Sequence, residues 1–220
     1  EKVKFFVNDG AMLKKGEKIC VITGNAYNIL KKERVILNVI QRLSGIASLT
    51  KKYVLKMKNT GINILDTRKT TPGIRLMEKF AVYIGGGKNH RLNLSESILI
   101  KDNHLKFIDS IASYINRLHN INPKKIIEIE IEEVAILQQA LQAPIDAILL
   151  DNMGPQKVKK LVEIIKDHTK GKMIFIEASG GINLKNIERY KKTGINAISV
   201  GALTHSATSK DIKLETLKYL

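Results

Sequence analysis

Tryptophan is absent and cysteine occurs once, at Cys20. A lone thiol excludes an internal disulfide framework and any cysteine-based zinc cluster, and it favours a reducing intracellular setting. Cys20 itself reads as structural. With four prolines and fifteen glycines in 220 residues, collagen-like and proline-rich readings fall away. No run approaches the ~18 consecutive apolar residues of a membrane-spanning helix, and no signal-peptide pattern opens the chain. The expectation is a cytoplasmic protein without a membrane partner.

Acidic residues are scarce relative to basic ones, 21 against 37, for a net charge of +16. Such an excess raises the possibility of a nucleic-acid partner. Two further shortages weaken it: aromatics are 5% of the chain, leaving few stacking platforms, and only seven of the cations are arginine. The lysines are dispersed among isoleucine and asparagine, which suits a solvated surface. The chain begins at Glu1 rather than Met, so an amino-terminal piece is expected to precede it.

Along the chain, Val3–Val7 and Ile19–Ile22 read as short strands, each followed by a turn at Asn8-Asp9-Gly10 or Gly24-Asn25. Val35, Val39, Ile40 and Leu43 then recur at helical spacing, and the helical pattern resumes after Gly45 to stop near Gly61. From Ile62 a unit repeats: an apolar run ending in a polar residue, a loop, and a helix-period segment. The runs are Ile62–Leu65 before Asp66, Ser97–Lys101 before Asp102, Lys125–Ile129 before Glu130, Ala147–Leu150 before Asp151, Met173–Ile176 before Glu177, and Ala197–Val200 before Gly201. Near-continuous apolar strands alternating with helices such as Val158–His168 and Leu184–Lys192 predict a parallel α/β barrel. Gly171 and Gly194 stand where helix C-caps are expected.

In such barrels chemistry sits at the carboxyl ends of the strands, where the acidic residues of this chain are predicted to fall. Asp66-Thr67-Arg68-Lys69-Thr70-Thr71-Pro72-Gly73 sets two cations and three hydroxyls after a strand, with Pro72 suited to open a helix. Gly85-Gly86-Gly87-Lys88-Asn89-His90-Arg91 adds a glycine run and a His-Arg pair, and Ile100-Lys101-Asp102-Asn103-His104 a cation, a carboxylate and an imidazole. His119 and His168 read as surface residues. Glu130 and Asp151 end successive strands, and two hard carboxylates on one rim suit Mg²⁺. Glu128 and Glu132 compete with Glu130, since alternation puts Glu128 on the same face. Ala178-Ser179-Gly180-Gly181 and Gly201-Ala202-Leu203-Thr204-His205-Ser206 follow the last two strands, where barrels bind phosphate through backbone N–H groups. Fixed cations, two carboxylates and a phosphate cradle fit a small polyanionic substrate with a metal-bound diphosphate.

These loops, with Glu33-Arg34-Val35, Ser44-Gly45-Ile46-Ala47-Ser48, Leu149-Leu150-Asp151-Asn152 and Ser199-Val200-Gly201-Ala202, resemble the signature segments of the quinolinate phosphoribosyltransferase family over nearly the whole chain. The resemblance implies an amino-terminal α/β sandwich domain, here truncated, followed by an incomplete parallel α/β (TIM-like) barrel. On that basis residues 1–58 are the remainder of the first domain with a connecting helix. Residues 59–206 are the barrel, and 207–220 a C-terminal helix packing back on the first domain. It further implies transfer of a phosphoribosyl group from phosphoribosyl diphosphate to quinolinate with loss of CO₂, giving nicotinate mononucleotide, with Mg²⁺ and no organic cofactor.

By the same resemblance, Arg68, His90, Arg91 and Lys101 contact the quinolinate carboxylates, with Lys69 nearby. Glu130 and Asp151 serve metal and ribose; Ser179, Gly180, Gly181, Gly201 and His205 hold phosphate. Lys69, Lys101, Glu130 and Asp151 form the catalytic set, and Arg34 reaches a neighbouring subunit's site in a homodimer or larger assembly. Two rivals remain: a related phosphoribosyltransferase with another acidic acceptor, and a non-catalytic, basic nucleic-acid-binding protein.

Overall fold

A computed structural model describes residues 1–170 and 173–217. The chain opens with an antiparallel pair, β1 (Lys2–Phe5) and β2 (Cys20–Thr23), registered Lys2 to Thr23 and Phe5 to Cys20. A single helix, α1 (Ala26–Lys56), follows. The Asn25 side chain caps it by accepting from the Asn28 N–H at 3.2 Å, which satisfies one of the donors every helix start leaves free. Gly45 does not interrupt the helix. A Cβ there would collide with the Thr208 carbonyl, so glycine lets the last stretch of the chain cross directly over the helix.

Six parallel strands then form one sheet: β3 (Asn63–Leu65), β4 (Ile98–Ile100), β5 (Ile127–Ile131), β6 (Ala147–Asp151), β7 (Phe175–Ser179) and β8 (Ala197–Ser199), in the order β3-β8-β7-β6-β5-β4. Between them run α2 (Arg75–Ile84), α3 (Asp102–Leu105), α4 (Ile111–Ile121), α5 (Val134–Ala140) and α6 (Pro155–Thr169), and α7 (Ala202–His205) follows β8. The two edge strands, β3 and β4, do not pair with each other; a parallel bridge from Leu65 to Lys88 extends the β3 edge.

On one face of the sheet Ile64, Ile100, Ile127, Ile129, Ile131, Ile148, Leu150, Ile176 and Ile198 are buried with helix residues such as Ile46, Leu137, Val158 and Ile165. Each fully buried aliphatic side chain contributes roughly 1.5–3 kcal/mol relative to exposure. The opposite face is different. Glu128, Glu130, Glu177 and Ser199 alternate with those isoleucines and are themselves buried. One side is thus wholly aliphatic, while the other mixes these polar groups with Leu65, Ala147, Leu149 and Ala197.

Several expectations need correction. Two strands lie later than predicted: β5 covers Ile127–Ile131, a shift of two residues, and β7 covers Phe175–Ser179, starting two and ending three residues later. Glu177 therefore sits inside its strand rather than at its end. The acidic residues do not all mark strand ends, because the alternating pattern Ile-Glu-Ile-Glu-Ile runs through the middle of β5. Pro72 does not open a helix; α2 starts at Arg75, after a turn in which Gly73 has φ +82°. The predicted helix over Leu184–Lys192 is only a 3-10 turn, Ile187–Tyr190. Residues 207–217 form no helix. They run as irregular chain along α1, where Lys210 N–H donates to the Gln41 carbonyl at 2.9 Å and Gln41 Nε2 to the Ile212 carbonyl at 2.6 Å. Gly194 has the positive φ expected of a cap, +83°, whereas Gly171 lies outside the described residues. Among the described residues no helix is long and apolar enough to cross a membrane.

Candidate active site

Parallel strands put all their carboxyl ends on one rim, and the polar loops gather there. At the β3 end Asp66 is completely buried. Its Oδ1 accepts from Lys79 Nζ at 2.5 Å and from the His90 N–H at 2.9 Å, and Lys79 also donates to the His90 carbonyl at 2.8 Å. With its amide turned to satisfy both atoms, Asn89 donates to Asp66 Oδ2 at 2.7 Å. Burial pushes the Asp66 carboxyl upward, and Lys79 opposes that rise. Asp66 thus fixes the segment carrying His90 and Arg91 instead of facing solvent.

The glycine run before it has a packing role. A Cβ at Gly85 would sit 2.6 Å from the Ala47 carbonyl, and one at Gly87 would sit 2.8 Å from Val82 and 2.9 Å from Thr50. These glycines let α1 and α2 approach; they do not line an anion cradle.

The His90 ring turns inward. Its Nδ1 accepts from the Arg91 N–H at 2.8 Å, which leaves the ring proton on Nε2, and Nε2 lies 3.4 Å from Glu128 Oε2 and 3.5 Å from Glu177 Oε2. Burial alone would lower the imidazolium pKa, but the two carboxylates outweigh it and raise it. Glu177, 1% exposed, accepts from the Ser199 hydroxyl; burial and then the neighbouring Glu128 charge push it up to about 7. Both ring nitrogens of His90 thus face protein groups here.

Arg91, in turn, donates through Nη1 to the Ser97 carbonyl at 2.9 Å. Burial lowers its pKa and the nearby Arg68 lowers it further.

Lys101, just past β4, donates to Glu130 Oε2 at 2.9 Å. Glu130 is pushed up by burial, held down in part by Lys101, and raised again by Asp151 and Asp102. The register Glu130 to Leu149 in β5 and β6 sets Asp151 one step further along the rim. Carboxylate oxygens of Glu130, Glu132 and Asp151 lie within 4.8 Å of one another. Hard oxygens at this separation fit Mg²⁺, which needs one or two carboxylates and fills its octahedron with water and substrate oxygens. Glu132 joins Glu130 and Asp151 here, while Glu128 stands in a second cluster with His90 and Glu177.

The loops after β7 and β8 complete the rim. Gly180 and Gly181 have φ of +83° and +62°, and a Cβ on Gly180 would collide with Asn152, so the small residues there are required. Gly201 faces the His205 ring and the Lys69 side chain, at 3.2 and 3.4 Å from where its Cβ would stand. The Thr204 hydroxyl donates to the Lys69 carbonyl at 2.7 Å. The first loop of the sheet is thereby held against the last. His205 is exposed and paired with Ser206 Oγ at 2.6 Å.

Arg34 is not brought to the rim. Its side chain is 81% exposed on α1, with Glu33 4.0 Å away. Sequence reasoning missed Arg42, Arg75, Glu78 and Lys79, which hold the loops from below. Nothing in the sequence sets them apart from solvent-facing charges.

A rim of clustered cations facing carboxylates, closed by tight small-residue loops on a parallel α/β sheet, defines an enzyme class that handles small anionic substrates. Within that class the chain belongs to the quinolinate phosphoribosyl transferase family: residues 1–44 match the model of its N-terminal domain and 46–215 that of its C-terminal domain. It is 44% identical over 212 residues to the probable nicotinate-nucleotide pyrophosphorylase (carboxylating) of Bacillus subtilis, covering 94% of this chain and 70% of that protein. The nicotinate-nucleotide pyrophosphorylase (carboxylating) of Mycobacterium leprae is 36% identical, with 97% and 75% covered. The crystal structure of NadC from Streptococcus pyogenes superposes with a TM-score of 0.91 at 39% identity, covering the whole of this chain and 76% of that one.

Proposed function

We propose that this protein transfers a phosphoribosyl group from phosphoribosyl diphosphate to the ring nitrogen of quinolinate and releases CO₂, forming nicotinate mononucleotide and diphosphate in NAD biosynthesis. The observation that carries this is the Lys101–Glu130–Asp151 series on adjoining strand ends, flanked by Arg68 and Arg91 on one side and the Ser179–Gly181 and Gly201–His205 loops on the other. Two cationic guanidinium groups match a dicarboxylate acceptor and orient its nitrogen toward ribose C1. As the C1–O bond to diphosphate breaks, positive charge builds at C1, where Glu130 and Asp151 stabilise it, and negative charge builds on the leaving group, where Lys69 does. Glu130 and Asp151, with Glu132 beside them, would hold Mg²⁺, which would supply further charge neutralisation to the diphosphate.

Decarboxylation then breaks the C2–CO₂ bond and leaves its electron pair beside a cationic ring nitrogen. That pair takes a proton, so no organic cofactor is called for. The catalytic set is Lys69, Lys101, Glu130 and Asp151. The open edges β3 and β4 support an incomplete barrel, with residues 1–58 as the remainder of an amino-terminal domain. The exposure of Arg34 supports a role across subunits in a homodimer, and Arg34→Ala mixed with Lys101→Ala should regain partial activity. The proposal is tested by incubating the protein with quinolinate, phosphoribosyl diphosphate and Mg²⁺. Nicotinate mononucleotide and CO₂ in equal amounts are expected; their absence, or equal turnover of nicotinate, would refute the assignment.

A further inference from the structure

Beneath the rim lies a buried ion pair that the transfer chemistry does not use. Glu78, on α2, is fully buried, and the side chain of Arg42, on α1, is 24% exposed. Glu78 Oε1 accepts from Arg42 Nε at 3.0 Å, Arg42 Nη2 at 2.9 Å and the Thr71 hydroxyl at 2.8 Å, while Oε2 accepts from the Thr71 N–H at 3.0 Å. The same guanidinium donates through Nη1 to the Ala207 carbonyl at 3.0 Å and through Nη2 to the Thr204 carbonyl. Thr71 closes the loop that carries Arg68 and Lys69; Thr204 belongs to the loop that carries Gly201 and His205. Five pieces of chain therefore meet on one Arg–Glu pair: α1, α2, both loops and the segment after the last helix.

A buried pair is a poor way to gain stability, because apolar residues of the same volume do as well or better. What it offers is direction. A guanidinium fork has fixed donor vectors, so it can hold two carbonyls and a carboxylate at set angles, which a lysine cannot. Here those vectors end on the Thr204 and Ala207 carbonyls on one side and on Glu78 on the other, and Glu78 passes the link to Thr71 in the loop that carries Lys69. The direct Thr204 Oγ1 to Lys69 carbonyl bond lies across the same gap.

We infer that Arg42 and Glu78 are positioning residues that set the spacing between the Arg68–Lys69 loop and the Gly201–His205 loop, and so fix phosphoribosyl diphosphate for attack. The inference rests on the phosphoribosyl-transfer reading above. Neither residue touches substrate; each acts through a loop backbone.

Four variants test it: Arg42→Lys, Glu78→Gln, the apolar double variant Arg42→Met with Glu78→Met, and Thr204→Val, which leaves the buried pair intact. Thermal unfolding reports the fold, calorimetry reports binding of quinolinate and of phosphoribosyl diphosphate with Mg²⁺, and steady-state kinetics separate kcat from KM. The pair variants are expected to lose on the order of 10²-fold in kcat/KM for phosphoribosyl diphosphate, the scale of a ~1 Å misplacement, chiefly in kcat. Thr204→Val should lose about tenfold in the same direction. The double variant should unfold no earlier than the wild type yet remain as slow as the single ones, a split that a merely stabilising pair would not produce.

A double variant catalysing within about threefold of wild type would overturn the inference, as would losses in Thr204→Val that appear only in quinolinate binding. Failure of the function itself looks different: the wild type would then give no nicotinate mononucleotide, while the change in phosphoribosyl diphosphate binding between wild type and variants would still report on spacing.

Discussion

Glu177→Gln offers a direct measurement of the charged face inside the sheet. Glu177 is buried between Ser199, Glu128 and His90, and its pKa is raised from 4.5 to about 7 by burial first and the Glu128 charge second. A carboxyl whose folded pKa lies above its unfolded value stabilises the fold fully below the unfolded value. That contribution is lost as pH rises through the folded value. The loss therefore falls between pH 4.5 and about 7, and its size corresponds to roughly 3 kcal/mol. Glutamine copies the neutral, protonated acid, and its carbonyl accepts from Ser199 in place of Oε1. At pH 5 the variant and wild type should be equally stable. By pH 8 the variant should be more stable by up to ~3 kcal/mol, or roughly 6–12 °C in Tm for a chain of this size. Asp66 tilts both proteins in the same direction, and because Glu177 itself helps to raise His90, the difference between the two reports Glu177 together with its coupling to His90. Urea unfolding from pH 5 to 8 reads it. A stability difference that does not change across that range would refute the account of Glu177 as a strained buried acid.

Other outcomes follow from the same contacts. Lys79→Met strands the buried Asp66 charge and should cost about 3–5 kcal/mol in urea unfolding, with part recovered by adding Asp66→Asn. Gly45→Ala drives a methyl group into the Thr208 carbonyl and should cost about 1–3 kcal/mol, released by truncating the chain after residue 206. Glu130→Gln or Asp151→Asn should raise the Mg²⁺ concentration for half-maximal activity by about 10–100-fold, and a matching loss should appear in direct Mn²⁺ binding.

The alternation of apolar runs and helical segments was legible because parallel strands need one continuous aliphatic face, and this chain supplies it with isoleucine at nearly every outward position. Strand limits were less legible. In β5 and β7 the apolar run breaks at a glutamate that looks like a terminus. The strands in fact continue past Glu130 and Glu177, since a carboxylate can face the inside of the sheet when an imidazole, a lysine or a hydroxyl meets it there. Loop identities read well: the segments at 66–73, 88–91, 101–104, 179–181 and 201–206 do converge on one rim. Their supports did not read at all. Glu78 and Lys79 are adjacent charges on an amphipathic helix and look like solvent-facing residues; only the tertiary arrangement places one against Arg42 and the other against Asp66. The same holds for the glycine run at 85–87, whose purpose is set by Ala47 and Thr50, almost forty residues earlier.

Burial also changes what the net charge means. Among the described residues Asp66, Glu78, Glu128, Glu130 and Glu177 are buried, five of the chain's 21 acids, whereas Lys79 is the one buried cation among 37. The surface is thus more positive than +16, and the interior under the rim is negative. These two facts belong together. Arg68 and Arg91 stand close enough for Arg68 to lower the Arg91 pKa, and cations held that near each other repel. Glu128 opposes that effect on Arg91, and Glu130 pairs with Lys101. A row of carboxylates behind a row of cations keeps the cations charged and in place before any anion arrives. On the proposed function, an arriving dicarboxylate would exchange water for ready-made partners, with little rearrangement at the moment of binding. On that reading the interior row, not the scattered surface lysines, makes the rim selective for a small anion.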